Sequence, residues 1–187
     1  HMLASSRLPL AALACAAALV AHQIHTSQSS MSSTEQADAP SVPKASTEAE
    51  RMPVWFVSHG GGPCFFMKPE GPFRDIAKGS AVERWMRTMG KYSPKPKAIL
   101  VVSAHWESDG STFQVTADEN PSLLFDYYGF PAHTYELKYP APGHPELAAQ
   151  IKSLVEAGTG KRCSLTTGRG LDHGVFVPLL LGWPNAD

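Results

Sequence analysis

Aromatic residues are spread so unevenly along this chain that they decide where it can fold. Its four Trp, five Tyr and eight Phe all lie after residue 50. A stretch rich in Ser, Ala and Thr and without aromatics cannot bury enough apolar surface to offset the entropy of ordering it. Residues 1–50 therefore read as a leader and disordered linker, with 26–50 the linker itself, and residues 51–187 as the folded domain. Within the leader, Leu8 to Ala21 is a 14-residue apolar run behind Arg7, with no acidic residue before Glu35. That length suits a signal-peptide core better than a bilayer span of roughly 20 residues. Translation from Met31 is the alternative. The expected location is cytoplasmic, or organellar or secretory if residues 1–25 are a true targeting leader.

Charge removes further classes. Sixteen basic and 17 acidic residues give a net charge of −1, so no basic excess exists to neutralise nucleic-acid phosphates. Cys15, Cys64 and Cys163 are too few and too scattered for a disulfide framework or a thiolate zinc site. No apolar run is long enough to span a membrane.

After residue 51 short apolar runs alternate with helical patterns. Val54–Val57 and Ile99–Val102 read as buried strands. Thr112–Thr116 alternates like a third strand. Ala81–Met89 carries Val82, Trp85, Met86 and Met89 at helical spacing, and Pro145–Glu156 places Leu147, Ile151 and Leu154 on one helix face, closed by Gly158. Val175–Gly182 reads as a buried helix followed by a turn. The expected fold is α/β, a mostly parallel or mixed sheet with helices on both faces. Such a sheet would continue past Asp187, so the domain is expected to be truncated at its C-terminus.

Three histidines stand where chemistry gathers. His59, in Ser58-His59-Gly60-Gly61-Gly62-Pro63, and His105, in Ser103-Ala104-His105-Trp106, each follow an apolar strand pattern directly. Ligands collect at the carboxyl ends of parallel strands, and imidazole suits zinc or non-haem iron. Any one histidine is commonly an ordinary hydrogen-bonded loop residue; two at equivalent strand ends make a site the equal alternative. His173, in Arg169-Gly170-Leu171-Asp172-His173-Gly174, precedes the last helix, and Asp172 is a plausible partner for its ring. If the strand-end argument holds, all three imidazoles meet in one cleft. His-Gly-Gly-Gly also occurs in the oxyanion loops of esterases, but no Gly-x-Ser-x-Gly elbow follows it here. The aromatic and proline-rich segment 125–143 either walls a flat substrate pocket or packs on the core. His144 reads as a helix entry, and His133 is given no role.

Taken together, Ser58–Pro63, Ser103–Glu107, Tyr128-Gly129-Phe130-Pro131 with Tyr139–Gly143, and Leu171–Gly174 with Val177-Pro178-Leu179 stand in the order of one family. From about Met52 to Asp187 the chain resembles the DOPA 4,5-dioxygenase-like branch of the class III (LigB-type) extradiol ring-cleavage dioxygenases. The resemblance implies one mononuclear metal ion, Zn(2+) or Fe(2+), with His59 and His105 as ligands. His173 would be the acid–base catalyst or an additional ligand, and a further ligand would come from the C-terminal part of the domain. It also implies a small aromatic diol and O2 as reactants. A zinc-dependent hydrolase using the same histidines, or a catalytically incomplete metal-binding fragment, are the other readings.

Overall fold

A computed structural model describes residues 52–186 except Ser93 and Asp109. The leader and linker assigned to residues 1–50 lie outside the described residues. Two strands, β1 (Thr112–Thr116) and β2 (Arg162–Thr166), pair in parallel with Thr112 opposite Arg162 and Thr116 opposite Thr166. Parallel neighbours need a crossover, and α2 (Pro145–Thr159) supplies it. His144 caps this helix, its Nδ1 accepting from the Leu147 amide at 3.2 Å, which is the helix-entry role read from the sequence. The helix runs on to Thr159 and stops at Gly160, whose left-handed backbone (φ 67°) suits glycine. It therefore ends two residues beyond the expected stop at Gly158. Ile151 and Val155 of α2 meet Cys163 of β2, with Phe113, Val115, Leu147 and Leu154 around them, to form one of two apolar clusters.

The larger cluster lies under the candidate site. There α1 (Ala81–Met86), capped by the Ser80 hydroxyl, packs against α3 (His173–Gly182). Helix α3 is apolar on every side, as a fully buried helix can be. Phe176, Val177 and Leu181 join Cys64, Phe65, Met86, Met89, Tyr127 and Tyr139. In the expected helix Ala81–Met89 only Met86 and Met89 face this core. Val82 and Trp85 stay exposed, the Trp85 ring lying edge-on to Trp55 at 6.1 Å, and the α-helix ends at Met86.

Two expected strands are corrected. Val54–Val57 and Ile99–Val102 run without regular secondary structure, and much of their apolar surface is open: Val54 is 77%, Phe56 91% and Val102 53% exposed. Four apolar residues in a row do not make a strand; a ladder partner does, and neither segment has one among the described residues. The described sheet is thus the two-stranded parallel pair, with α2 packed on it, instead of a larger sheet clothed on both faces.

Candidate metal centre

His59 and His105 follow those two extended segments, and the structure brings them together across 46 positions of sequence, their Nε2 atoms 2.8 Å apart. His173, the first residue of α3, completes the group. Ring centroids are separated by 4.7 Å (His59–His105), 4.7 Å (His59–His173) and 4.2 Å (His105–His173). One ligand atom from each residue lies within 4.8 Å of the others. All three expected site residues therefore meet, although no sheet edge carries them.

Close approach makes this possible. Gly174 faces the other two rings, and a Cβ built there would lie 2.7 Å from His105 Cδ2, 3.1 Å from Asp172 Oδ1 and 3.4 Å from His59 Cδ2. Only a residue without a side chain lets α3 come this near. In the loop after His59, Gly60 adopts φ 75° and packs over the buried Cys64 and Phe65, a close approach and a left-handed backbone that both suit glycine.

The polar partners differ from those read in the sequence. Asp172 does not touch the His173 ring. Its fully buried carboxylate accepts from the Ser103 hydroxyl at 2.9 Å and pairs with Arg169 at 3.0 Å. Arg169 also donates to the His105 carbonyl at 3.1 Å and stacks on Trp106, 4.5 Å from its ring centroid. This network ties the His105 loop to the start of α3. The ring partner of His173 is Asp126, which sequence reasoning missed: Oδ1 accepts from Nδ1 at 2.7 Å and from the His173 amide at 2.9 Å. Burial pushes the pKa of the Asp126 carboxyl up, but hydrogen bonds from the His173 backbone and ring outweigh it and leave the pKa below the usual range. The carboxyl is thus ionised and can only accept, so His173 carries a proton on Nδ1, which in the neutral ring leaves the lone pair on Nε2.

His59 is lowered from its ordinary value by burial first, then by the neighbouring His173 and His105, which favours the neutral imidazole that a metal needs. Its Nδ1 is buried without a hydrogen-bond partner in the described structure. Two Nε2 atoms head to head and a third imidazole nitrogen nearby fit a cation held by neutral imidazoles.

The aromatic segment serves the core more than the site. Phe125, Tyr127 and Tyr135 pack on one another, and Phe125 meets Phe176 at 5.6 Å. Of these three rings only Tyr127 also meets a site residue, edge-on to His173 at 5.7 Å. Tyr128 is 92% exposed. His133 bonds the Phe66 carbonyl at 3.1 Å, away from the cluster.

Residues 53–186 match the family described as the catalytic LigB subunit of aromatic ring-opening dioxygenase. The chain is 41% identical over 143 residues to Dioxygenase tasH of Hapsidospora irregularis, an alignment covering 76% of this chain and 44% of that protein. With 4,5-DOPA dioxygenase extradiol of Beta vulgaris the identity is 42% over 134 residues, 72% of this chain and 46% of the relative. The protein of the same name from Escherichia coli (strain K12) is 34% identical over 140 residues, 73% of this chain and 45% of the relative. The chain spans about half the length of these relatives. No helix among the described residues is long and apolar enough to cross a membrane.

Proposed function

The chain belongs to the family of the catalytic LigB subunit of aromatic ring-opening dioxygenase, and on that premise we propose that it opens a catechol ring beside the diol, both atoms of O2 entering the product. The convergence of three imidazoles from separate segments carries this reading. A ferrous ion, when bound, supplies the redox chemistry that O2 requires and acidifies a catechol, whereas zinc, lacking redox chemistry, matches only the second. Ferrous iron is therefore the metal of the reacting protein. His59 and His105 hold it through neutral nitrogens. His173, with its proton committed to Asp126, offers Nε2 to take a proton from a catechol hydroxyl and return it later. The Arg169–Asp172–Ser103 network keeps the His105 backbone fixed while this happens. A DOPA-like catechol is the first substrate to test, because two of the relatives above carry DOPA in their names.

The test compares His59→Ala, His105→Ala and His173→Ala with the unaltered chain, measuring iron content and oxygen uptake with a catechol. Loss of a ligand at His59 or His105 should lower both together. His173→Ala should keep most of the metal and lose roughly 10²–10⁴-fold in rate, the usual scale for a general acid–base group. If His173→Ala strips the metal as completely as His59→Ala, His173 is a ligand and its acid–base role is wrong. Ester hydrolysis with no oxygen uptake would overturn the dioxygenase reading itself.

A further inference from the structure

Two of the three imidazoles lie against a single carboxylate, one hydrogen-bonded to it and one within ion-pair distance. Asp126 Oδ1 accepts both the backbone N–H and the ring Nδ1–H of His173, at 2.9 and 2.7 Å, while Oδ2 lies 3.7 Å from His105 Nδ1. We propose that Asp126 is a positioning residue that decides which nitrogen His173 and His105 turn toward the centre. This inference rests on reading the triad as a metal centre.

The geometry is specific. One oxygen bound to both the amide and the ring of the same residue closes a short loop through the side chain, so the rotation of the His173 imidazole is fixed along with its tautomer. With Nδ1 protonated, the lone pair sits on Nε2. Asp126 is itself held from two sides. A parallel bridge between Leu123 and Leu171 brings the two segments into register, with Leu124 N donating to the Leu171 carbonyl at 2.7 Å and Leu171 N to the Ser122 carbonyl at 2.8 Å. The next residue, Tyr127, is anchored by its hydroxyl to the Thr134 carbonyl at 2.6 Å. Among the described residues no other carboxylate bonds these rings, and Asp172 spends its oxygens on Ser103 and Arg169. His59 has no such partner, so its ring orientation depends on packing and on the centre itself. Partners in the second layer around metal-binding histidines fix the ring and its basicity, and their loss typically costs about 10–100-fold in metal affinity.

Two substitutions separate the contributions. Asp126→Asn keeps an oxygen for the His173 amide and ring but turns an NH2 toward His105 Nδ1. That removes the negative charge which favours a proton on His105 Nδ1, so the tautomer protonated on Nε2, the wrong nitrogen, gains population. Asp126→Ala releases both rings. The experiment titrates the metal-free chain and each variant with Co(II) alone, read by its visible absorption, and with Zn(II) alone, read by competition with a chromophoric chelator. Imidazole 15N shifts of the metal-free proteins report the tautomers, and circular dichroism checks the fold. The expected result is Co(II) and Zn(II) binding weakened about 10–100-fold in both variants. His173 should stay Nδ1-protonated in Asp126→Asn and become a tautomer mixture in Asp126→Ala. Unchanged metal affinity in folded Asp126→Ala, or an unchanged His173 tautomer there, would overturn the proposal. Failure of the unaltered chain to bind either metal would instead sink the metal-centre reading, and the proposal with it. If Asp126→Ala does not fold, Asp126→Asn still decides through its affinity and the His105 shifts.

Discussion

Replacing Gly174 by Ala should separate stability from metal binding. The backbone at Gly174 is ordinary helix, so alanine meets no φ penalty there. In a helix interior Gly→Ala gains up to about 1 kcal/mol; near the first turn the gain is smaller. Against it stands the new methyl, 2.7 Å from His105 Cδ2 and 3.1 Å from Asp172 Oδ1. Ordinary carbon–carbon contact begins near 3.5 Å, so the His105 ring must retreat by about 0.8 Å. Asp172 cannot move freely, being bonded to Ser103 and Arg169, so the ring takes the displacement. The two stability effects nearly cancel, and the melting temperature should stay within a few degrees of the parent. Metal–nitrogen bonds tolerate only about 0.2 Å, so a ring shifted four times that far no longer donates. Co(II) affinity should fall by at least about 10-fold, and oxygen uptake with a catechol by about 100-fold, the scale of an ångström misplacement. Thermal melts and a Co(II) titration on the same samples make the measurement. A folded Gly174→Ala chain that binds Co(II) as tightly as the parent would refute the reasoning, since the three rings would not then depend on the bare helix start.

Arg169→Ala leaves the fully buried Asp172 carboxylate with the Ser103 hydroxyl alone. Breaking a buried ion pair from one side costs about 3–5 kcal/mol, so the urea midpoint should drop sharply, and adding Asp172→Asn to the same chain should recover part of the loss. The Tyr127 phenol is pushed up to about 12 by burial. The unfolded chain releases that proton near pH 10, so the folded state keeps this contribution in full below pH 10 and loses it as pH rises toward 12. Tyr127→Phe should flatten the fall in stability across that window, and a 295 nm titration should show little phenolate from Tyr127 at pH 11 while the chain is folded.

The parts of the fold visible in the sequence are those with a local period or a long apolar run. Alternation in Thr112–Thr116 marks a real strand, and the Leu147, Ile151 spacing with a capping His144 marks α2. The unbroken apolar run before Trp183 marks α3. Where an apolar run was only four residues long, the reading failed. Val54–Val57 and Ile99–Val102 are too short to show whether they are strands, because that depends on a neighbour elsewhere in the chain. The histidines were legible all the same, since their glycine- and serine-flanked settings do not depend on whether the preceding segment is hydrogen-bonded into a sheet.

What the sequence could not show is how the imidazoles are held, and the reason lies in the separations. Ser103 and Asp172 are 69 positions apart, Asp126 and His173 are 47 apart. No periodicity links such pairs. Adjacency even points the wrong way: Asp172 sits beside His173 in sequence, but as the residue before the first helical turn it aims its carboxylate back at Ser103 and Arg169, not at the ring that follows. Asp126 lies in an aromatic stretch whose neighbours Phe125 and Tyr127 are claimed by the core, so one polar residue between them must point the other way, toward the site. That alternation is the one local signal that could have found it. A carboxylate flanked by two core aromatics is forced out of the apolar layer, and in this fold the surface it reaches is the edge of His173.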